Sequence, residues 1–305
     1  MEKVDRELLK AVADLHDVPV GAYNIRKNSE SAGRKSTENI QIITKEDKPG
    51  IDIRIAPGTR NESVHIPVLI TESGISEMVY NDFFIGEGAD VLIVAGCGIH
   101  NSGDQKSEHD GIHRFFVGKG AKVRYVEKHY GDGEGTGERV MNPTTEIVLE
   151  DDAVCEMETV QIKGVDSTVR VSRATLGKNA KLIMTERLMT HGKQIARSDM
   201  VVELNGEGSS AQIVSRSVGK DDSEQVFNPI AVGNGACRAH IQCDSIIMDR
   251  AKIRSIPEIA ANHPEAQIVH EAAIGRINGD QLLKLCTLGL TEEEAEKEII
   301  DGFLK

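Results

Sequence analysis

The 305-residue sequence is poor in aromatic residues, which make up 3% of it, and it has no tryptophan. Its core must therefore be built mainly from isoleucine, valine, leucine and alanine. Small aliphatic residues suit stacked structural repeats, because each layer presents similar side chains to its neighbours. The length is enough to bury a sizeable core in one large domain or two ordinary ones.

Basic residues are also in deficit. The chain has 36 lysines and arginines against 49 aspartates and glutamates, which gives a formal net charge of −13. Nucleic acids and anionic lipids carry charge of the same sign, so neither is an expected partner. The partners are expected to be proteins.

The hydropathy pattern of the sequence predicts neither a targeting segment nor a membrane segment. No apolar run approaches the ~18 residues of a membrane span, and residues 1–10 are charged and helical in pattern, unlike a secretion signal. The five cysteines, at positions 97, 155, 237, 243 and 286, are irregularly spaced without a Cys-x-x-Cys pair. This spacing fits neither a disulfide framework nor a zinc ribbon. The sequence predicts a cytoplasmic protein with free thiols.

A nucleotide-binding loop is absent as well. The Gly-rich stretch GDGEGTGE at 131–138 does not lead into Lys-Ser or Lys-Thr, and Gly219-Lys220 is followed by Asp221. There is also no G-x-G-x-x-G fingerprint of a dinucleotide fold. We expect this chain to bind no nucleotide and to hydrolyse no ATP itself.

From Ile40 onward the sequence contains short extended runs that follow one turn signature. Units such as GEGADVLIV at 86–94 and GKGAKVRYV at 118–126 place a turn before an alanine and an extended run. Glycine or asparagine supplies positive φ at the corner, and alanine fits inside the bend. The key residues, Ala89, Ala121, Ala153 and Ala180, are 32, 32 and 27 residues apart, which is typical of solenoids. The pattern predicts a parallel β-helix, with an ordinary β-sandwich as the alternative.

Helical patterns flank these repeats. Residues 4–15 form an amphipathic pattern that ends before Pro19 and is expected to pack on the body as a cap. Residues 26–39 are polar without periodicity, which predicts a loop. After Gly279 a short helix is closed by Gly289, and a capping box of Thr291 and Glu294 begins a last helix. Its apolar face is predicted to contain Ala295, Ile299, Ile300 and Phe303.

These patterns divide the chain into three parts. Residues 1–60 are predicted to be an N-terminal helix and irregular segment, residues 61–268 the β-helix core, and residues 269–305 a C-terminal helical segment. The predicted fold class is mainly β, a right-handed parallel β-helix with short N- and C-terminal helical segments.

The stretch 236–277 contains the first candidate site. A cysteine, His270 and Glu271 supply a thiolate, an imidazole and a carboxylate, a set that soft and borderline metals accept. Thiolate in particular suits iron-sulfur clusters. The hydrophobic period changes near Ala266, which predicts that His270 and Glu271 lie where a strand gives way to a helix. The alternative is packing, since a strand cysteine is commonly a small buried hydrophobe.

A second candidate lies in AGCGIHNSGDQKSEHDGIH. Cys97-x2-His100 is followed by His109-x3-His113, a spacing that resembles a zinc site. A solvated Gly-rich turn is the alternative interpretation.

Several motifs of the C-terminal half occur in one order: CDSIIM, PEIA, NHPEAQ, HEA, IGRI, DQL and GLTEEEA. In this order they resemble the SufB/SufD family of iron-sulfur cluster assembly scaffolds, from about Val68 to the end. The resemblance implies a β-helix core and a cluster built at a subunit interface on Cys243, His270 and Glu271. SufB-type chains can carry a further Glu before the His, and Val269 stands there, which removes one candidate ligand.

The resemblance also implies a role for Cys97, which lies in a Gly-Cys element upstream of GAKVRY at 120–125. The family's cysteine receives sulfur from a donor protein, and His113 matches the family's histidine. The family pattern after the cysteine is Thr/Ser-Ala-Pro, whereas this chain has Gly-Ile-His. To accept sulfur, Cys97 is expected to be partly exposed and to ionise easily, because the thiolate is the nucleophile.

The function predicted is that of a scaffold and not of an enzyme. By the resemblance, the C-terminal helices bind an ABC-type ATPase like SufC, and the chain forms a homodimer or a heterodimer with a paralogue. It holds an iron-sulfur cluster transiently and passes it to apo-proteins. The alternatives are a SufD-like structural subunit without a cluster and a zinc-dependent hydrolase centred on Cys97, His100, His109 and His113.

Overall fold

In the computed structural model, which describes residues 3–15 and 19–305, the fold is a β-solenoid of about eight turns. Strands contain 58% of the chain, and the three helices of the described residues are short and lie near the termini. The prediction of a mainly β solenoid is therefore confirmed. None of the helices in the described part has the length and apolar character that a membrane crossing requires.

The elements follow the chain in a simple order. They are α1 (Lys3–Ala13), β1 (Ala22–Lys27), β2 (Glu30–Lys35), β3 (Ile40–Thr44), β4 (Gly50–Ile55), β5 (Arg60–Ile70), β6 (Ser76–Ile85), β7 (Asp90–His100), β8 (Ser107–Val117), β9 (Lys122–Asp132), β10 (Arg139–Met141), β11 (Thr144–Leu149), β12 (Val154–Lys163), β13 (Ser167–Leu176), β14 (Lys181–Thr190), β15 (Ile195–Leu204), β16 (Ser210–Gly219), β17 (Glu224–Gly233), β18 (Arg238–Ile247), β19 (Lys252–Ser255), β20 (Glu258–Ala261), β21 (Gln267–Gly275), α2 (Gly279–Thr287) and α3 (Glu292–Phe303).

Two sheets form the opposite walls of the solenoid. The first sheet has the order β2-β1-β5-β7-β9-β12-β14-β16-β18-β21. The second has the order β3-β4-β6-β8-β10-β13-β15-β17-β19, with β11 between β8 and β13 and with β20 beside β17. From β5 onward the neighbouring strands are parallel, so each coil of the chain stacks on the previous one at a spacing of about 4.8 Å.

The corners between the two sheets confirm the turn signature. Ala89, Ala121, Ala153 and Ala180 are all at most 1% exposed. The residue before each has a φ between 53° and 65°. In the next two coils the same corner is occupied by Ser209 and Cys237, which precede the paired Ser210 and Arg238. The corner therefore requires a small residue and not alanine in particular.

The polar stretch 26–39 was predicted to be a loop, and this prediction is wrong. It contributes to a hairpin of β1 and β2, whose turn residues Asn28 and Ser29 have φ values of 48° and 68°. Positive φ at both central residues matches the twist of a two-residue hairpin, although Asn-Gly is its usual sequence. β1 then pairs in parallel with β5, so tertiary pairing supplies a strand that local composition did not indicate.

Helix α1 packs on the outer face of the first sheet and not over an end of the solenoid. Leu8, Leu9 and Val12 are at most 2% exposed. The helix lies directly on the β7 backbone, because a Cβ at Gly96 would stand 2.7 Å from the Val12 carbonyl oxygen and one at Gly98 3.0 Å from Leu8 Cδ2. α1 therefore covers the outside of the strand that carries Cys97.

The C-terminal helices differ in how they pack. The predicted capping box of Thr291 and Glu294 is present at the start of α3. Residues Ala295, Ile300 and Leu304 are buried, and the last two pack against Val218 and Met248 of the solenoid. In α2 no residue is buried, and Leu283 and Leu288 are 65% and 75% exposed.

Candidate functional site

Cys97 points from β7 into the space between the two sheets and is 2% exposed. It lines a small cavity of ≈ 10 Å³, about the room of one water-sized atom. The other polar walls are Asn81 of β6, His109 and His113 of β8, and Glu127 and His129 of β9. Burial raises the pKa of the Cys97 thiol well above its usual value, and the charges of Glu77 and Glu127 raise it further. The expected exposed and easily ionised thiol is therefore not what the structure has.

Of the four residues of the zinc hypothesis, Cys97, His109 and His113 line this cavity and His100 does not. His100 lies outside the cavity, with its Nε2 atom 2.9 Å from Ser102 Oγ, while His129 lines the cavity in its place. Among residues 3–15 and 19–305, no group of three or more His, Cys, Asp and Glu side chains is arranged to hold a metal ion. The structure therefore gives the zinc-dependent hydrolase no assembled metal centre.

Hydrogen bonds fix the histidine rings of this cavity. His113 Nδ1 is 2.7 Å from the Tyr125 hydroxyl, and Asn81 Nδ2 is 3.3 Å from His113 Nε2. Burial lowers the pKa of His113 to about 4, so its ring is neutral at pH 7. His109 Nδ1 is 3.0 Å from Glu77 Oε1. Although burial opposes it, the hydrogen bonds from His109 and Arg26 lower the pKa of Glu77 to about 2.

From this cavity a line of buried polar side chains, here called the polar column, runs along the solenoid interior. Its members are Glu127, His129, Arg170, Glu186, Ser198 and Ser215, all at most 8% exposed. Arg170 bridges two carboxylates, with Nη1 3.5 Å from Glu127 Oε2 and Nε 3.5 Å from Glu186 Oε1. Ser198 and Ser215 each donate a hydrogen bond of 3.1 Å to Glu186. This pairing lowers the free-energy cost of burying the charges, because each carboxylate has a cation or hydrogen-bond donors beside it.

The polar column ends beside Cys243, which lies on β18 directly next to Ser215 of β16 and is 2% exposed. Burial raises the pKa of the Cys243 thiol, while the hydroxyls of Ser255 and Ser245 act in the opposite direction. Five strand spacings separate β7 from β18, which places the two cysteines about 24 Å apart along the solenoid axis. Both face the same interior.

His270 and Glu271 lie on the terminal strand β21 and not at the start of a helix, since β21 continues to Gly275. His270 pairs with Ile241 and therefore faces inward, as Cys243 does. Glu271 pairs with Gln242 on the outer face, where its Oε2 atom is 3.4 Å from His240 Nε2. The structure thus places Cys243 and His270 on one face and Glu271 on the other.

His270 Nε2 is buried at this end of the interior and has no hydrogen-bond partner within the described part of the chain. Burial lowers the pKa of His270, and the charge of His240 lowers it further. A neutral imidazole has one nitrogen that can bind a metal, so the donor chemistry of Cys243 and His270 suits iron.

The end of the solenoid beyond β18 is open. β21 terminates the first sheet, and β19 and β20 terminate the second, so each has one unpaired edge within the described residues. Several apolar side chains at this end are exposed, namely Ile256, Ile259, Val269 and Ile274, at 41% to 51%. Unpaired strand edges with apolar neighbours favour pairing with another chain.

The residues of the polar column were missed at the sequence level. A signal for them existed, because alternate residues of a strand face one side. Counting every second residue from Ala121 leads through Tyr125 to Glu127 and His129, and all of them face inward. Charged residues at inward positions interrupt the alternation of apolar residues that indicates a half-buried strand, so this alternation alone does not indicate them.

Fold and interior together define a class of protein: a β-solenoid with two thiols on one polar interior. The family model described as "SUF system FeS cluster assembly, SufBD core domain" matches residues 71–303. That range is more than half of the chain, and the chain therefore belongs to the SufBD family of iron-sulfur cluster assembly proteins.

Curated relatives agree with this family. An iron-sulfur cluster assembly SufBD family protein of Methanocaldococcus jannaschii is 28% identical over 79% of this chain and 76% of its own length. A Methanothermobacter thermautotrophicus member is 29% identical over 84% of this chain, which spans only 62% of that relative. One from Archaeoglobus fulgidus is 29% identical over 88% of this chain and 71% of the relative.

Proposed function

We propose that this chain is a scaffold subunit on which an iron-sulfur cluster is assembled before its transfer to apo-proteins. Sulfur enters on Cys97, and the nascent cluster forms on Cys243 and His270 at the open end. One observation carries this proposal: the two cysteines face one interior and are joined by the polar column. Iron and sulfur are the cargo of such a subunit, which performs no turnover of its own.

The cluster site is completed by a second chain, either another copy or a paralogue. Each chain offers one thiolate, Cys243, at the open end, whereas ordinary clusters have four cysteine ligands. Two chains that pair through β21 and the β19–β20 edge bring two thiolates and two imidazoles together. A cluster with so few thiolates is held weakly, which suits transfer.

Glu271 has a lesser part in this proposal than His270. Its carboxylate lies on the outer face of β21, so it reaches the cluster only if this terminal strand twists when a second chain pairs with it. We therefore expect His270→Ala to lower the bound iron and sulfide more than Glu271→Gln does. Equal losses in the two variants would show that β21 rearranges.

The test of the scaffold is anaerobic reconstitution with ferrous iron and sulfide, followed by measurement of both in the desalted protein. Cys243→Ser keeps the size of the side chain but removes a soft anionic ligand, so bound iron and sulfide should fall to background. Cys155→Ser is the matched control, since Cys155 is also fully buried on a strand of the same sheet but lies three strand spacings away from Cys243 and the open end. Wild-type iron and sulfide in Cys243→Ser would overturn the assignment, and no cluster in the wild type would favour a SufD-like structural subunit.

We further propose that an ABC-type ATPase like SufC binds the C-terminal helices, chiefly through α2. The apolar stripe of α3 packs partly on the solenoid, whereas Leu283 of α2 and Leu288, the residue that follows this helix, are exposed. Exposed leucines on a helix that buries none of its own residues need a cover. The proposed contact therefore lies mainly on α2 and less on α3.

Co-purification with the ATPase tests this surface. The double variant Leu283→Asp and Leu288→Asp should abolish co-purification, because two carboxylates then replace the apolar contact. Val20→Asp, which changes another highly exposed apolar residue at 93% exposure, should leave it intact. Retention of the ATPase by a folded α2 variant would refute this surface.

A further inference from the structure

Gly111 lies on β8 between the two inward-facing histidines, His109 and His113. Its backbone is ordinary extended strand, so no positive φ requires a glycine here. A glycine is required because a larger residue has no room here. A Cβ at this position would stand 3.1 Å from His113 Nε2 and 3.4 Å from His109 Nε2, both tight contacts.

The two rings cannot easily move away from that point. His109 is held through Nδ1 by Glu77 at 3.0 Å, and His113 is held through Nδ1 by Tyr125 at 2.7 Å. Both Nε2 atoms therefore converge over Gly111, and Cys97 lines the same cavity from the opposite sheet. The missing side chain of Gly111 keeps this space open.

The size of the space limits what can occupy it. The cavity of ≈ 10 Å³ is about the room of one water-sized atom. A second sulfur atom bonded to Cys97 would lie about 2.05 Å from the thiol sulfur, so the volumes of the two sulfur atoms would partly overlap. The added atom therefore needs less room than a free sulfur atom. A longer chain of atoms on Cys97 would meet the two histidine rings or the Gly111 backbone.

We propose that the cavity over Gly111 is a pocket for a single sulfur atom carried on Cys97, and that Gly111 sets its size limit. This inference rests on the proposed function, because it presumes that Cys97 accepts sulfur. It adds which adduct the site admits: a persulfide, but no polysulfide chain and no alkyl disulfide.

The transfer is balanced without an added oxidant. The sulfur of Cys97 attacks the terminal sulfur of a persulfide or polysulfide donor and gives up its proton in the same step, and a new sulfur–sulfur bond forms as the donor's bond breaks. The donor leaves as a thiol or shorter polysulfide and takes up the proton that Cys97 released.

The test treats the full-length folded protein with inorganic polysulfide or with methyl methanethiosulfonate, followed by quenching, digestion and mass spectrometry of the Cys97 peptide. Each extent of modification is taken relative to that of the urea-unfolded protein, which corrects for the different intrinsic reactivity of the two reagents. In the wild type, polysulfide should add one sulfur atom, and the methylthio adduct should stay at least tenfold below it. Equal modification by the two reagents, or addition of two sulfur atoms, would overturn the size limit.

Gly111→Ala gives the second arm. Its Cβ fills the space, so the persulfide on Cys97 should fall at least tenfold while the unfolding midpoint confirms a folded protein. Gly275→Ala, a strand glycine with nothing within 4 Å of an added Cβ, is the control and should behave as wild type. A folded Gly111→Ala with wild-type persulfide would refute the pocket. If Cys97 takes no sulfur even in the wild type, it is the proposed sulfur acceptance that fails.

Discussion

Replacing Arg170 by methionine tests the charge balance of the interior. Arg170 is 5% exposed and is the cation that both Glu127 and Glu186 contact in the polar column. Methionine has a similar length and no charge, so the two carboxylates stay buried without it. Removing one partner of a buried ion pair costs roughly 3–5 kcal/mol.

We expect the cost of Arg170→Met to lie at the lower end of this range of roughly 3–5 kcal/mol. Both Arg170 contacts are 3.5 Å long, and Glu186 keeps its hydrogen bonds from Ser198 and Ser215. We therefore expect a loss of about 3 kcal/mol in the free energy of unfolding at pH 7. A domain with a stability of roughly 5–15 kcal/mol would remain folded at 25 °C, so the loss can be measured.

The loss should also depend on pH. In the wild type burial opposes ionisation of Glu127, but His129 and Arg170 hold its pKa below the usual value. Without Arg170 this pKa rises, so on acidification the variant takes up a proton that neutralises the buried charge. The wild type takes up no such proton between pH 7 and pH 5, because the pKa of its Glu127 lies below this range. A carboxylate whose pKa is lowered in the folded state stabilises the fold at a pH above its unfolded pKa, and this stabilisation is lost as the pH falls. The difference between the two proteins should therefore be smaller at pH 5 than at pH 7.

Urea unfolding followed by far-ultraviolet circular dichroism at the two pH values measures both effects. Arg173→Met, an exposed arginine on the same strand, is the matched control and should change the stability by less than about 0.5 kcal/mol. If Arg170→Met costs no more than this control at pH 7, the buried carboxylates do not depend on Arg170, and the charge balance described here is wrong.

Two further predictions concern stability. Burial holds the pKa of His113 at about 4 in the folded protein, below the usual value of about 6.5 that applies to the unfolded chain. The unfolded state therefore binds more protons between these two values, and the free energy of unfolding should fall by up to about 3 kcal/mol as pH drops through them. His113→Gln should give a shallower dependence of this free energy on pH in urea unfolding, and an unchanged dependence would contradict the assignment. In Gly131→Ala the new Cβ would lie 1.9 Å from the Gly164 carbonyl oxygen. We expect a loss of about 3 kcal/mol and a lower thermal midpoint, whereas a midpoint equal to that of Gly275→Ala would show that the two coils can separate freely.

The repeated corner was the part of the fold that the sequence predicted best. A left-handed residue followed by a small one is a local requirement, and Gly120 with Ala121 is read directly from the chain. The capping box of α3 is local in the same sense. The hairpin of β1 and β2 was not predictable in this way, because its polar strands are stabilised by pairing with β5, which lies outside any local window.

The candidate site likewise has a part that the local sequence indicates and a part that only tertiary packing determines. Cys243 and His270 were identified from motifs, but their shared face depends on the register of β18 against β21, which periodicity alone did not fix. Glu271 follows His270 directly and so had to face the other way once that segment became a strand. Arg170 and Glu186 meet only because two coils stack, and no spacing along the chain indicates such a contact.

The most direct test of the central claim follows labelled sulfur through the molecule. The protein is first given isotopically labelled persulfide on Cys97, is freed of excess donor and is then supplied anaerobically with ferrous iron, reductant and its partner chains. We predict that the label appears as acid-labile sulfide in a cluster in the wild type, and that neither Cys97→Ser nor Cys243→Ser yields labelled cluster. Labelled cluster in Cys97→Ser equal to that in the wild type would contradict the account.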